Sequence, residues 1–125
     1  GAISYKGKGV FIAGGAGITP FISIFRDLRA KDEISGNSLI FANKTKADII
    51  LENELRNILG HAFINILSDE KDNSYFHGMI TENFLKDNIG DSRNFYLCGP
   101  PPMMDAVKKQ LASLGVGENS ITLEL

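Results

Sequence analysis

The apolar positions of the chain change rhythm along its length. Compact runs of strand length stand at Gly9 to Ala13, Ser38 to Ala42, Ala62 to Leu67 and Asn94 to Cys98. Between them apolar residues recur in steps of three and four, the spacing of one helix face. Phe21, Ile24, Phe25 and Leu28 predict a helix from about Pro20 to Ala30. Leu51, Leu55, Ile58 and Leu59 predict a second, with Gly60 as its C-terminal glycine. Phe84, Leu85 and Ile89 mark a short third helix after Gly78-Met79-Ile80, capped by Thr81, and Val107, Leu111 and Leu114 mark a fourth that Gly115 ends. Polar segments, Lys31 to Asn37, Asn43 to Asp48 and Ser68 to Ser74, read as loops, and Ser120 to Leu125 alternates as a terminal strand.

Strands that alternate with helices argue for a parallel sheet covered on both faces. Right-handed crossovers leave few ways to connect it. The fold class expected is α/β, a three-layer α/β/α arrangement with a doubly wound five-stranded parallel sheet in the order 3-2-1-4-5. One domain then fills residues 1–125. The switch point lies between the first and fourth strands, where such folds bind ligands beyond the strand ends.

Both turns at that point are unusual. After the first strand comes Gly14-Gly15-Ala16-Gly17-Ile18-Thr19-Pro20. Glycine lets backbone N–H groups approach a ligand, and the following helix N-terminus suits a phosphate. Pro20 fits the first helical turn and Thr19 offers a cap. The pattern is short of a full GxGxxG fingerprint, because Pro20 stands where the third glycine would, and no acidic residue closes the next strand. After the fourth strand comes Cys98-Gly99-Pro100-Pro101-Pro102-Met103, a turn stiffened by proline with a glycine for close approach.

Composition narrows the class. The chain has 125 residues, enough for one domain, and its 13 basic and 15 acidic residues give a net charge of −2. Nothing favours nucleic acid or an anionic membrane, and no apolar run approaches the ~18 residues of a membrane span. One cysteine excludes an internal disulfide and a four-cysteine metal site within the chain, and a lone cysteine fits a reducing, cytoplasmic setting. No signal-peptide pattern starts the chain, as is also true of a mature or truncated one. No metal site is expected, and no Ser/His/Asp or Cys/His spacing supports hydrolysis.

The two turns together resemble the pyridine-nucleotide domain of the ferredoxin–NADP reductase family, with its GGxGxTP and CGPxxM motifs. Further similarity lies in Asp48 to Leu55, in Ser68 and in Gly78 to Phe84. The resemblance implies an NAD(P)H-dependent flavin oxidoreductase. Hydride passes from nicotinamide C4 to N5 of FAD or FMN, and electrons go on to a ferredoxin, a flavodoxin or a haem domain. Gly15, Ala16, Gly17 and Thr19 are then placed along the pyrophosphate and the nicotinamide ribose, with Gly14, Ile18 and Pro20 as further cofactor-binding candidates. Cys98 and Gly99 are placed beside the nicotinamide, Pro100, Pro101 and Met103 are further cofactor-binding candidates, and Glu124 matches an acidic residue near the flavin in many members. Cys98 and Glu124 are the catalytic candidates.

Asn43 and Lys44 after the second strand, with Ser68 and Asp69 after the third, are expected to border the adenosine ribose. Acidic Asp69 and Glu70 there favour NADH over NADPH, against the charge of Lys44 and Lys46. The family's flavin barrel and its Arg-x-Tyr-Ser motif are absent from the chain. The expectation is a piece of a longer reductase, with the flavin domain on the same parent polypeptide; alone it binds nucleotide weakly and does not turn over.

Plainer readings stand beside these. Cys98 can be a small core residue, Met103-Met104 helix packing, and Glu124 simply exposed. His61 and His77 have no telling partner. The alternative to an oxidoreductase domain is a catalytically inactive nucleotide-sensing or protein-interaction module of the same fold.

Overall fold

A computed structural model describes residues 3–123. Its strands are β1 (Val10–Gly14), β2 (Ser38–Asn43), β3 (Phe63–Leu67), β4 (Phe76–His77), β5 (Phe95–Cys98) and β6 (Ile121–Leu123). Its helices are α1 (Thr19–Ala30), α2 (Glu52–Leu59), α3 (Glu82–Asn88) and α4 (Pro101–Ser113). All strand pairings are parallel, and the sheet order is β4-β3-β2-β1-β5-β6.

The sheet therefore has six strands where five were expected. Without β4, the other five keep the expected order. β4 is two exposed residues at the edge, in register Ile66↔Phe76 and Leu67↔His77, and Gly78 N–H continues the ladder to the Leu67 carbonyl at 2.8 Å. So short and exposed a segment carries no hydrophobic period, and the pattern missed it.

β1 lies between β2 and β5 and is buried throughout. Its side chains alternate between two cores. Phe11 and Ala13 join Phe21, Phe25, Leu39, Phe41 and Leu55 under α1 and α2. Val10 and Ile12 join Ile40, Phe95, Leu97, Met104, Val107 and Leu111 under α3 and α4. Burying each large apolar side chain is worth about 1.5–3 kcal/mol, so this strand anchors both layers and fixes where its end emerges.

Helix ends differ in detail from expectation. Thr19 is the first residue of α1 and not its cap, because Gly15–Ile18 already coils as a 3-10 turn. Its hydroxyl donates to the Ala16 carbonyl at 2.9 Å. Leu51 precedes α2 in a left-handed conformation, φ 54°. Thr81 caps α3 as expected, accepting from Phe84 N–H at 3.1 Å. Gly115, φ +90°, ends α4, with Val116 N–H reaching the Leu111 carbonyl at 2.9 Å.

The segment before β1 is tied down. The buried Tyr96 ring stacks on Phe11 with 4.2 Å between centroids. Its hydroxyl accepts from Lys6 N–H and donates to the Gly7 carbonyl, both at 2.7 Å.

Candidate functional site

The ends of β1 and β5 lie side by side, with Ala13 in register with Cys98. The two proline- and glycine-rich turns that leave them are fused by absence of side chains. A Cβ placed on Gly17 would stand 2.3 Å from the Cys98 carbonyl oxygen and 2.9 Å from Gly99 Cα. One on Gly14 would meet Met103 Sδ at 2.6 Å, and one on Gly99 would meet Met103 Cε at 2.5 Å. Met103 thus packs over both turns. Gly15 is different: φ is +54° and nothing lies within 4 Å of its missing Cβ, so it needs glycine for its backbone and faces open space.

Two cavities flank this joint. The first, about 490 Å³, runs from Gly14, Gly15 and Ala16 across the end of β2 at Ala42, Asn43 and Lys44 to Ser68 at the end of β3. Asp48 and Ile50 close it on one side, Gly78, Met79 and Ile80 on another, and Pro100 and Met103 form its near wall. The second, about 440 Å³, is lined by Gly17, Cys98, Gly99 and Pro101, with Met104, Asp105 and Lys108 of α4 at its far side. Gly14, Ala16 and Pro100 border both, so the two cavities share a wall at the switch point.

Most of the residues singled out from sequence gather there. Gly14, Gly15, Ala16, Asn43, Lys44, Ser68, Pro100 and Met103 line the first cavity, and Gly17, Cys98, Gly99 and Pro101 the second. Ile18 does not: it is fully buried in the core under α1. Thr19 and Pro20 begin α1 and line neither cavity. Asp69 is exposed and outside the lining; the Ser68 hydroxyl donates to it at 2.8 Å. Glu124 lies outside the described residues.

Other lining residues were not singled out. Asp48, Ile50, Gly78, Met79 and Ile80 come from the stretches noted for family similarity, but only the strand order brings them to one rim. Asp48 carried a local signal, since Thr45-x-x-Asp48 is a capping box. Its Oδ2 accepts from Thr45 N–H at 3.0 Å and from the Thr45 hydroxyl at 2.9 Å.

The charged residues that line the first cavity are Lys44 and Asp48. Lys46, counted with Lys44 as compensating charge, does not line it. Its main-chain N–H donates to Glu70 at 2.7 Å, and its ammonium stands 3.7 Å from Asp72 and over the Tyr75 ring. Tyr75 in turn donates to Glu52, and that hydrogen bond, with burial and the Glu52 charge, pushes the phenol up to about 12. The loop after β3 is thereby tied to α2 and to the turn after β2.

Comparison with known proteins fits this architecture. The family model described as an oxidoreductase NAD-binding domain matches residues 11–109. The chain belongs to that family. NADH-cytochrome b5 reductase 1 of Homo sapiens is 30% identical over 94% of this chain and 49% of its own length. The flavohaem-like FAD/NAD-binding domain of nitric oxide dioxygenase from Vibrio cholerae superposes with a TM-score of 0.86 at 28% identity, over 99% of this chain and 54% of that one. A ferredoxin–NADP reductase from Neisseria gonorrhoeae, solved with FAD and NADP, shares the fold at a TM-score of 0.77 and 22% identity, over 92% of this chain and 54% of that one. The chain spans about half the length, or less, of the curated relatives it matches. As an NAD-binding domain of the ferredoxin–NADP reductase type, it places both of its family-like turns at the carboxyl end of the sheet. Among the described residues no helix is long and apolar enough to cross a membrane.

Proposed function

We propose that the chain binds NAD(P)H across the two joined cavities, adenosine half in the first and nicotinamide half in the second. It presents the nicotinamide to a flavin, FAD or FMN, held by another domain of the same parent polypeptide. A ferredoxin, flavodoxin or haem domain then takes the electrons. The observation that carries the reading is the joint itself: Gly17 packs against Cys98 and Gly99, and Gly14, Ala16 and Pro100 border the cavities on both sides of it.

The flavin supplies a hydride acceptor at N5. The chain's own residues bind and orient. The exposed backbone at Gly15 and Ala16 suits a pyrophosphate, since main-chain N–H groups at a helix approach favour an anion. Gly99 and the small Cys98 line the second cavity, and hydride transfer asks for stacking and a dry slot, with no proton to move. Ile50, Met79 and Ile80 offer apolar surface to an adenine.

NADH is the favoured coenzyme. Asp48 faces the first cavity, Asp69 and Glu70 follow Ser68, and the Lys46 ammonium is directed at Asp72; Lys44 remains as the cation on the lining. Carboxylates beside a 2′-phosphate repel it. Calorimetric titration with NADH, NADPH and ADP tests the assignment: millimolar or tighter binding of NADH and of ADP supports it, and no binding of either removes it.

A further inference from the structure

Asn43 is 8% exposed, lines the first cavity and leaves its Nδ2 without a hydrogen-bond partner among the described residues. Its main chain is fixed: it pairs with Leu67 in the sheet, and its carbonyl accepts from Ser68 N–H at 3.0 Å. A buried donor without an acceptor carries a desolvation cost that nothing among the described residues repays, and such groups are few in native structures. The residue closes β2, between the glycine turn on one side and Lys44 and Ser68 on the other. In nucleotide folds of this kind the end of the second strand is where a carboxylate reads the ribose hydroxyls. No acidic residue occupies positions 38–44. Asp48, the carboxylate on the lining, has Oδ2 already committed to Thr45.

We propose that Asn43 reads the adenosine ribose, its Nδ2 donating to a ribose hydroxyl oxygen; this rests on the nucleotide-binding reading above. The terminal amide torsion is broad, so the group turns to an acceptor that arrives in the cavity. A neutral donor here replaces the usual anionic acceptor. An internal acceptor competes with this role. Asn65 Oδ1 also lacks a partner, and Asn65 pairs with Phe41, two positions before Asn43, on the same face of the sheet. If Asn65 were the true partner, removing the Asn43 amide would destabilise the protein without nucleotide.

The test pairs a change in the protein with a change in the ligand. Wild type and Asn43→Leu are titrated calorimetrically with ADP, 2′-deoxy-ADP and 3′-deoxy-ADP, and both are melted without nucleotide. Wild type is expected to bind ADP about five- to tenfold more tightly than at least one deoxy analogue. Asn43→Leu should bind all three alike, at the weaker level, with a melting temperature no lower than wild type. Equal weakening towards all three ligands, retained discrimination, or a lowered melting temperature overturns the assignment. Asn43→Asp is a second, independent variant. It accepts from a hydroxyl, so it should still discriminate against a deoxy analogue while losing affinity for 2′,5′-ADP relative to ADP; an unchanged ratio overturns the assignment. Wild type binding none of the ligands would remove the nucleotide reading as well, whereas wild-type ADP binding with uniform loss in the variants removes the Asn43 role alone.

Discussion

Gly17 and Cys98 meet main chain to main chain, so closely that a single added methyl on Gly17 would stand 2.3 Å from the Cys98 carbonyl oxygen. That contact joins the turn after β1 to the turn after β5. Gly17→Ala should therefore force the two turns apart. The neighbour is backbone and cannot rotate away, so the cost should be about 1–3 kcal/mol of stability together with loss of nucleotide binding. Gly15→Ala is the contrast. Its methyl meets nothing within 4 Å, and only the left-handed φ is penalised, by about 1–2 kcal/mol. Urea denaturation should rank Gly17→Ala below Gly15→Ala; the reverse order would mean the joint is not rigid.

The sequence made the switch point legible because β1 is a buried apolar run followed at once by glycines, and both features are local. Tyr96 reaching Lys6 and Gly7 was not legible, since those partners are about ninety residues apart in the chain. The same holds for Gly17: its glycine was read as room for a phosphate, whereas its missing Cβ faces Cys98. β4 escaped because Phe76 and His77 are exposed, and Asp48 and Met79 reach the cavity rim only through strand order. Ile18 reads as a site residue only through its place in the motif, whereas its side chain belongs to the core.

Tyr96→Phe should strand Lys6 N–H and leave the Gly7 carbonyl with only its 3.2 Å bond from Asn94 Nδ2, at a cost of about 1–3 kcal/mol. Proteolysis within residues 3–9 should accelerate in step. Unchanged denaturation and unchanged cleavage would show that the stacking on Phe11, and not the hydroxyl, holds this segment.

Tyr75 sets a pH dependence. Its folded pKa, about 12, lies above the ordinary 10.0, because the hydrogen bond to Glu52 favours the neutral phenol. The stability this contributes is fully present below pH 10 and is lost as pH rises through about 12. Tyr75→Phe should be less stable than wild type at pH 8, and the gap should narrow by pH 11.5. Denaturant midpoints at the two pH values measure it, and a constant gap would contradict the Glu52 contact.

Coenzyme choice should respond to charge after β3. Asp69 is exposed, so Asp69→Arg should alter stability by no more than about 0.5 kcal/mol. A guanidinium there can grip a 2′-phosphate through two hydrogen bonds. In the full-length parent, the ratio of kcat/KM for NADPH over NADH should rise at least tenfold. A wild-type preference for NADPH would show that Lys44 outweighs the carboxylates.

Cys98→Ala, in the same parent, should slow flavin reduction at saturating NADH more than it weakens NADH binding, because Cys98 lines the second cavity, where we propose that the nicotinamide sits. Stopped-flow absorbance resolves the two effects. A wild-type reduction rate would leave Cys98 as packing.

The division of one dinucleotide between two joined cavities is best tested by amide chemical-shift mapping with ADP and then NAD+. ADP should move Gly15, Ala16, Asn43, Lys44, Ser68 and Met79, which line the first cavity. NAD+ should move those and also Gly17, Cys98, Gly99 and Met104, which line only the second or its wall. Shifts from NAD+ confined to the ADP set, or scattered away from both cavities, would contradict the account.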